Sequence, residues 1–218
     1  MIDVSAFDGF IFDMDGTLLD SMPMWENLAP DYFQRHGVAY TEDVLSEIAA
    51  TSLRQAADIL AVKYFPTYQP EDMFNEWEAY LQEQYAHKVQ LKPGVQEFLE
   101  GLQKLGKKMC IATMTDRQHA ELAVKAHGIA QYFSFIKTVG EVGKTKSFPD
   151  IYLQAAAELG VAPEQCLVFE DSCPACITAR SAGFMVCGVA DTNWSCNEAE
   201  MRVICNAFIN NFNELKIR

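Results

Sequence analysis

The chain has 218 residues, half of them hydrophobic, which is enough for one large domain or for a domain that carries a smaller insertion. Its formal net charge of −13 is spread along the sequence and not gathered into a tail. That balance argues against nucleic acid and against an anionic membrane surface as partners, because both are held through basic residues.

The first expected element is Phe10-Ile11-Phe12, an apolar run that reads as a strand buried on both faces. It ends abruptly in Asp13-Met14-Asp15-Gly16-Thr17. A long helical region follows. Asp20 or Ser21 caps a first helix, with Pro23 in its first turn, a buried stripe at Trp25, Leu28 and Phe33, and Gly37 at its end. A second helix begins over Thr41 to Leu45, a third runs from a Thr51 or Ser52 cap through Leu60, and a fourth spans about Glu71 to Tyr85. No convincing strand occurs between Asp20 and His87. The pattern changes at Leu91-Lys92-Pro93-Gly94. Beyond it come a helix stopped by Gly106, a strand over Lys108–Thr113, a helix stopped by Gly128 and a strand over Phe133–Val139. A helix over Ile151–Leu159, a strand over Cys166–Phe169, a helix near Pro174–Ser181, a strand over Phe184–Val189 and a last short strand at Ala207–Ile209 complete the chain. Strands alternating with helices predict an α/β fold, a Rossmann-like parallel sheet flanked by helices. The expected division is a discontinuous core, 1–19 and 89–218, with an all-helical insert over 20–88.

In a parallel sheet, ligands bind beyond the carboxyl ends of the strands. Those ends carry Asp13 and Asp15, then Thr113 and Met114, then Glu170 and Asp171, with Lys144 and Lys146 in the loop after the third strand. An Asp-x-Asp pair alone reads equally well as a solvated turn. Several carboxylates, a hydroxyl and a lysine on one edge instead amount to equipment for phosphoryl transfer.

The chain resembles the haloacid dehalogenase superfamily, in the subgroup with a helical cap after the first motif. The residues that carry the resemblance are Asp13-Met14-Asp15-Gly16-Thr17, Thr113, Lys146 ahead of Pro149-Asp150, and Glu170-Asp171-Ser172. The resemblance implies a phosphohydrolase acting through an aspartyl-phosphate. Asp13 would be the nucleophile and Asp15 the general acid and base. Thr113, Met114 and Lys146 would hold the phosphoryl group. Asp13, the Asp15 backbone carbonyl, Glu170 (directly or through water) and Asp171 would hold Mg²⁺. Arg54 in the insert is a candidate substrate contact, weighed evenly against an exposed helix arginine. Asp116 and Arg117 read better as a helix cap with a neighbouring surface charge, and the four histidines as scattered structural or exposed residues.

The expected substrate is a small phosphorylated metabolite. A β-phosphoglucomutase-like sugar phosphomutase is the alternative, weakened because Trp25 stands where that enzyme has a cap histidine. Further alternatives are a dehalogenase, against which Asp15 argues, and a catalytically silent binding protein of the same fold. Cys110, Cys166 and Cys187 read as reduced core residues, and Cys173-Pro174-Ala175-Cys176 as the start of a helix rather than a redox pair. No stretch approaches the ~20 apolar residues that span a bilayer. Met1-Ile2-Asp3-Val4 lacks the basic start of a signal peptide. A cytoplasmic monomer or weak dimer is expected.

Overall fold

A computed structural model describes residues 2–48, 51–191 and 198–216. The chain divides into two compact units, one formed by Met1–Met22 with Val89–Arg218 and the other by Pro23–Lys88.

Taken in chain order, the elements are β1 (Gly9–Phe12), α1 (Met22–Arg35), α2 (Glu42–Ile48), α3 (Leu53–Tyr64), α4 (Pro70–His87) and α5 (Val95–Lys104). There follow β2 (Lys108–Thr113), α6 (Arg117–Ala126), β3 (Ile136–Thr138), α7 (Val139–Val142) and α8 (Asp150–Leu159). The chain closes with β4 (Cys166–Glu170), α9 (Cys173–Ser181), β5 (Met185–Val189), α10 (Glu198–Ile204) and β6 (Ala207–Ile209).

In the first unit the described strands form one sheet in the order β3-β2-β1-β4-β5-β6, and every pair is parallel. The architecture is therefore the expected α/β sheet. β1 lies at its centre because Phe10, Ile11 and Phe12 have no exposed surface and need cover on both faces. Alternation sends Phe10 and Phe12 to one face and Ile11 to the other. On the first face Phe12 stacks on its cross-strand partner Phe169 at 4.9 Å, and Phe98 of α5 and Phe212 pack edge-on or tilted against that pair. On the second, Ile11 joins Cys110, Ala112, Val168 and Val186 beneath Ile151, Tyr152 and Ala155 of α8 and Cys176 and Ala179 of α9.

The third strand is shorter than the apolar run Phe133–Val139 suggests. Phe133 precedes it as a ring packed edge-on against Phe12. Val139 follows as the first residue of α7, because Thr138 and Glu141 form a reciprocal cap that ends the strand. Hydrophobicity marks burial there, not pairing.

The chain leaves and re-enters this unit side by side. The Asp20 N–H donates to the Gln90 carbonyl at 2.9 Å, the Lys92 N–H donates to Leu18, and Leu19 bridges Leu91. Lys92 is nearly fully buried and its ammonium meets Asp191 beyond β5 at 2.5 Å, fixing the returning chain to the end of the sheet.

The second unit consists of α2, α3, α4 and nearly all of α1. Ser52 caps α3 in a capping box with Gln55. Leu28, Tyr32 and Phe33 of α1, Leu60 of α3, and Trp77, Leu81 and Tyr85 of α4 are buried as helical spacing predicts. Among the described residues, no helix is long and apolar enough to cross a membrane.

Candidate active site

The turn after β1 is built by backbone constraints. The Asp13 N–H donates to the Phe169 carbonyl at 2.9 Å and extends the β1–β4 ladder by one residue. The Met14 carbonyl accepts from both Leu18 and Leu19 at 2.9 Å, which closes the turn. Gly16 has φ +77°, and a Cβ on it would stand 2.3 Å from Asp171 Oδ2, so no side chain fits. Buried Thr17 donates its hydroxyl to Asp171 Oδ1 at 3.3 Å. The first motif and the fourth are thus interlocked.

Lys146, in the loop before α8, donates to Asp13 Oδ1 and, at 2.5 Å, to Glu170 Oε1. Glu170 Oε1 also accepts the Tyr152 hydroxyl at 3.0 Å. Its Oε2 accepts the backbone N–H groups of Asp171 and Ser172 at 3.0 and 3.2 Å. Asp13, Glu170 and Asp171, all buried, each offer an oxygen, and these oxygens lie within 4.8 Å of one another. Asp15 is held differently. Its Oδ1 accepts from Ser21 Oγ and its Oδ2 from Thr115 Oγ1, each at 2.6 Å. Thr113 is buried at the end of β2, and its Oγ1 accepts the Thr115 N–H at 3.0 Å, which leaves the hydroxyl proton to point elsewhere. The Met114 side chain between them is exposed.

Residues 10–189 match the haloacid dehalogenase-like hydrolase family. The chain belongs to that family. Hexitol phosphatase A of Escherichia coli is 34% identical over 84% of this chain and 85% of its own length. A phosphorylated carbohydrates phosphatase of Thermotoga maritima is 29% identical over 81% of this chain and 82% of its own. A family IA hydrolase from Entamoeba histolytica superposes with a TM-score of 0.75 at 27% identity, covering 96% of each chain. The β-phosphoglucomutase of Clostridium difficile has a TM-score of 0.73 over 96% of this chain and 93% of its own; at 22% identity it shows the shared fold alone. The protein is a phosphoric monoester hydrolase of the haloacid dehalogenase-like family.

Burial dominates the electrostatics of this hydrolase's site. Burial pushes Asp13 up to about 8. Lys146 pulls against that shift, and Glu170 and Asp15 add to it. Burial likewise raises Asp171 well above the ordinary carboxylate range, helped by Glu170 and Asp13. Burial alone would lower the Lys146 ammonium, but Asp13 and Glu170 outweigh it and hold it raised and charged. A buried cluster with more carboxylates than cations is short of positive charge. Its all-oxygen donor set suits a hard divalent cation.

Of the residues expected at the strand ends, Asp13, Lys146, Glu170 and Asp171 come together in the first unit, and Asp15 is joined through Thr115 to Thr113, whereas the Met114 side chain is exposed. Lys144 does not join them; it pairs with Asp150 at 2.8 Å on the surface. Arg54 is engaged within the helical unit by Glu71 at 2.5 Å and Asp58 at 3.3 Å, and lies over the Phe74 ring. Trp25 donates to the Tyr85 hydroxyl at 3.1 Å in the same unit. Arg117 ties α6 to Glu141 and to the Ile136 carbonyl, a structural role. His36 meets Tyr68 at 2.8 Å, and His87 is exposed beside Glu83. Cys110, Cys166 and Cys187 are buried free thiols. Cys176 is free while Cys173 is disulfide-bonded, so the two are not joined to each other.

Sequence reasoning passed over Ser21, Thr115 and Tyr152 as site residues. Tyr152 left a faint signal, an aromatic with a polar tip on the face of α8 otherwise occupied by Ile151, Ala155 and Ala156. Ser21 and Thr115 left none, since hydroxyl residues beside a loop read as caps.

Proposed function

We propose that the protein is a Mg²⁺-dependent phosphatase that hydrolyses a small phosphorylated metabolite through an aspartyl-phosphate on Asp13. The observation that carries this reading is the unlike company of two carboxylates one residue apart. Asp13 is held by an ammonium and faces Glu170 and Asp171, whereas Asp15 is held by two hydroxyls. A nucleophile must be an anion when it attacks. A residue that first gives a proton to the leaving oxygen and then takes one from water must live in both forms.

Asp13 attacks phosphorus as the anion, a form that Lys146 favours against burial and that a bound cation would favour further. Thr113, with its hydroxyl proton free of the Thr115 amide, and the Met114 N–H hold the phosphoryl oxygens. Asp15 protonates the departing oxygen and later draws a proton from the water that cleaves the acyl phosphate. Asp13, Asp171 and the Asp15 carbonyl would hold Mg²⁺ directly. Glu170, whose oxygens already accept four donors, would reach it through water. When bound, the ion offsets the repulsion between an anionic carboxylate and an anionic phosphate.

The relatives' names, a hexitol phosphatase and a phosphorylated carbohydrates phosphatase, support a polyhydroxylated leaving group. We infer that the helical unit serves as the cap that selects among such groups. Arg54, already paired twice, is not the residue we would assign to that selection. A mutase reading has no observation of its own, since Trp25 is committed to Tyr85.

The test is turnover of para-nitrophenyl phosphate and of hexitol phosphates with Mg²⁺. Wild-type protein should turn over, and Asp13→Asn should fall below detection while keeping its circular dichroism spectrum. Substantial turnover by that variant, or undiminished wild-type activity in excess chelator, would contradict the assignment.

A further inference from the structure

Asp15 stands on a flexible-looking position, the middle of a turn, yet both of its carboxylate oxygens are fixed. Ser21 Oγ, just ahead of α1, holds Oδ1 at 2.6 Å, and Thr115 Oγ1, from the loop after β2, holds Oδ2 at 2.6 Å. The two donors are 94 residues apart in the chain and approach from different segments. Thr115 is itself fixed, because it is nearly fully buried and its N–H donates to Thr113 Oγ1 at 3.0 Å. Ser21 has no exposed surface. The two hydroxyls therefore act as rigid arms.

Their chemistry distinguishes them from the partner of Asp13. An ammonium carries a positive charge, so it suits one charge state. A neutral hydroxyl donates to a carboxylate and equally to the acceptor lone pairs that a carboxylic acid keeps, so it suits both and leaves the acid proton to face the leaving oxygen. We propose that Thr115, seconded by Ser21, is a positioning residue that holds the Asp15 carboxyl in one place in both of its protonation states, so that the same group delivers a proton to the leaving oxygen and retrieves one from water. The inference rests on the phosphatase reading above. It adds a role for a hydroxyl that lies two residues beyond the phosphate-binding Thr113.

Such a role predicts a specific pattern of loss. Misplacing an acid by about 1 Å costs on the order of 10²-fold. The loss should fall on kcat and not on phosphate binding, because the Thr115 hydroxyl and N–H are engaged by Asp15 and Thr113. It should also be larger for an alkyl phosphate, whose leaving oxygen needs the proton, than for an aryl phosphate, whose leaving oxygen does not.

The experiment compares wild type, Thr115→Val and Thr115→Ser on para-nitrophenyl phosphate and glycerol 2-phosphate with Mg²⁺, in steady state and by rapid quench. Thr115→Val should lose ~10²-fold in the rate of enzyme phosphorylation by glycerol 2-phosphate, and at least several-fold less with para-nitrophenyl phosphate. KM for either should not rise, since substrate binding is untouched, and it falls where hydrolysis of the phosphoenzyme becomes the slow step. Thr115→Ser, which keeps the hydroxyl, should recover most of the rate. If Thr115→Val does not fold, Ser21→Ala is read by the same ratio. Equal losses on both substrates in the rate of enzyme phosphorylation, a rise in KM that accounts for the loss, or no recovery in Thr115→Ser would overturn the proposal while leaving the phosphatase reading intact. If the wild type itself lacks Mg²⁺-dependent turnover, or Asp13→Asn keeps it, the phosphatase reading falls first, and the proposal falls with it.

Discussion

At the scale of single residues, the site depends on contacts that permit no substitute. Gly16 combines a left-handed backbone with a position where a Cβ would lie 2.3 Å from the Asp171 carboxylate. Gly16→Ala should therefore do two things at once. The left-handed conformation costs about 1–2 kcal/mol in an L-residue, which a urea denaturation curve would register. The displaced Asp171 should abolish most Mg²⁺-dependent turnover. Wild-type activity in that variant would mean that the Gly16–Asp171 contact yields without consequence. Tyr152 is a milder case. Its hydroxyl is one of the two donors to Glu170 Oε1, and the other is Lys146. Tyr152→Phe removes a hydrogen bond to a charged group, worth about 1.5–3 kcal/mol. We expect that loss in urea unfolding, with the far-ultraviolet circular dichroism unchanged. An unchanged unfolding midpoint would mean that Glu170 is held well enough by Lys146 and the two backbone amides.

At the scale of elements, the strand ends do what open parallel sheets do, presenting loops on one edge. The sequence made much of this legible. β1, β2, β4, β5 and β6 are apolar runs closed by polar residues, and all five lie where alternation and burial placed them, within a residue at either end. β3 was drawn too long because Phe133 and Val139 are apolar for other reasons, one as a ring on the aromatic face and one as the start of α7. α7 and α10, of four and seven residues, were too short to show a helical period. The linker geometry was not legible either. Nothing in Leu91-Lys92-Pro93 announces that Lys92 meets Asp191, a residue 99 positions later, at 2.5 Å.

At the scale of the molecule, the buried carboxylates set how stability varies with pH. Asp13 titrates at 3.8 as a free side chain and near 8 in the fold. Between those values the folded chain binds the extra proton. The stabilisation is therefore fully present below the unfolded value and is lost as pH rises through the folded one. Asp171 is raised for the same reason and acts with the same sign. In chelator, the melting temperature should fall between about pH 5 and 8. Mg²⁺ should restore it, with a larger effect at pH 8 than at pH 5.5, because a cation competes with those protons. Differential scanning calorimetry across that range, with and without Mg²⁺, checks it. A melting temperature that rises with pH in chelator would contradict the raised values.

The sequence by itself determined the class of fold and the set of residues at the strand ends, because burial on two faces and a polar stop at each strand are local patterns. It also determined which lysine precedes the Pro149-Asp150 start of α8 at the spacing the family uses. Only the tertiary structure decided which partners each carboxylate keeps. Asp13 and Asp15 are neighbours in sequence with the same chemistry. They differ because folding brings Lys146, 133 residues away from Asp13, against one of them and the Ser21 and Thr115 hydroxyls against the other. Partners contributed by distant segments leave no periodicity in the chain. What a carboxylate does is set by the charge and proton capacity of those partners.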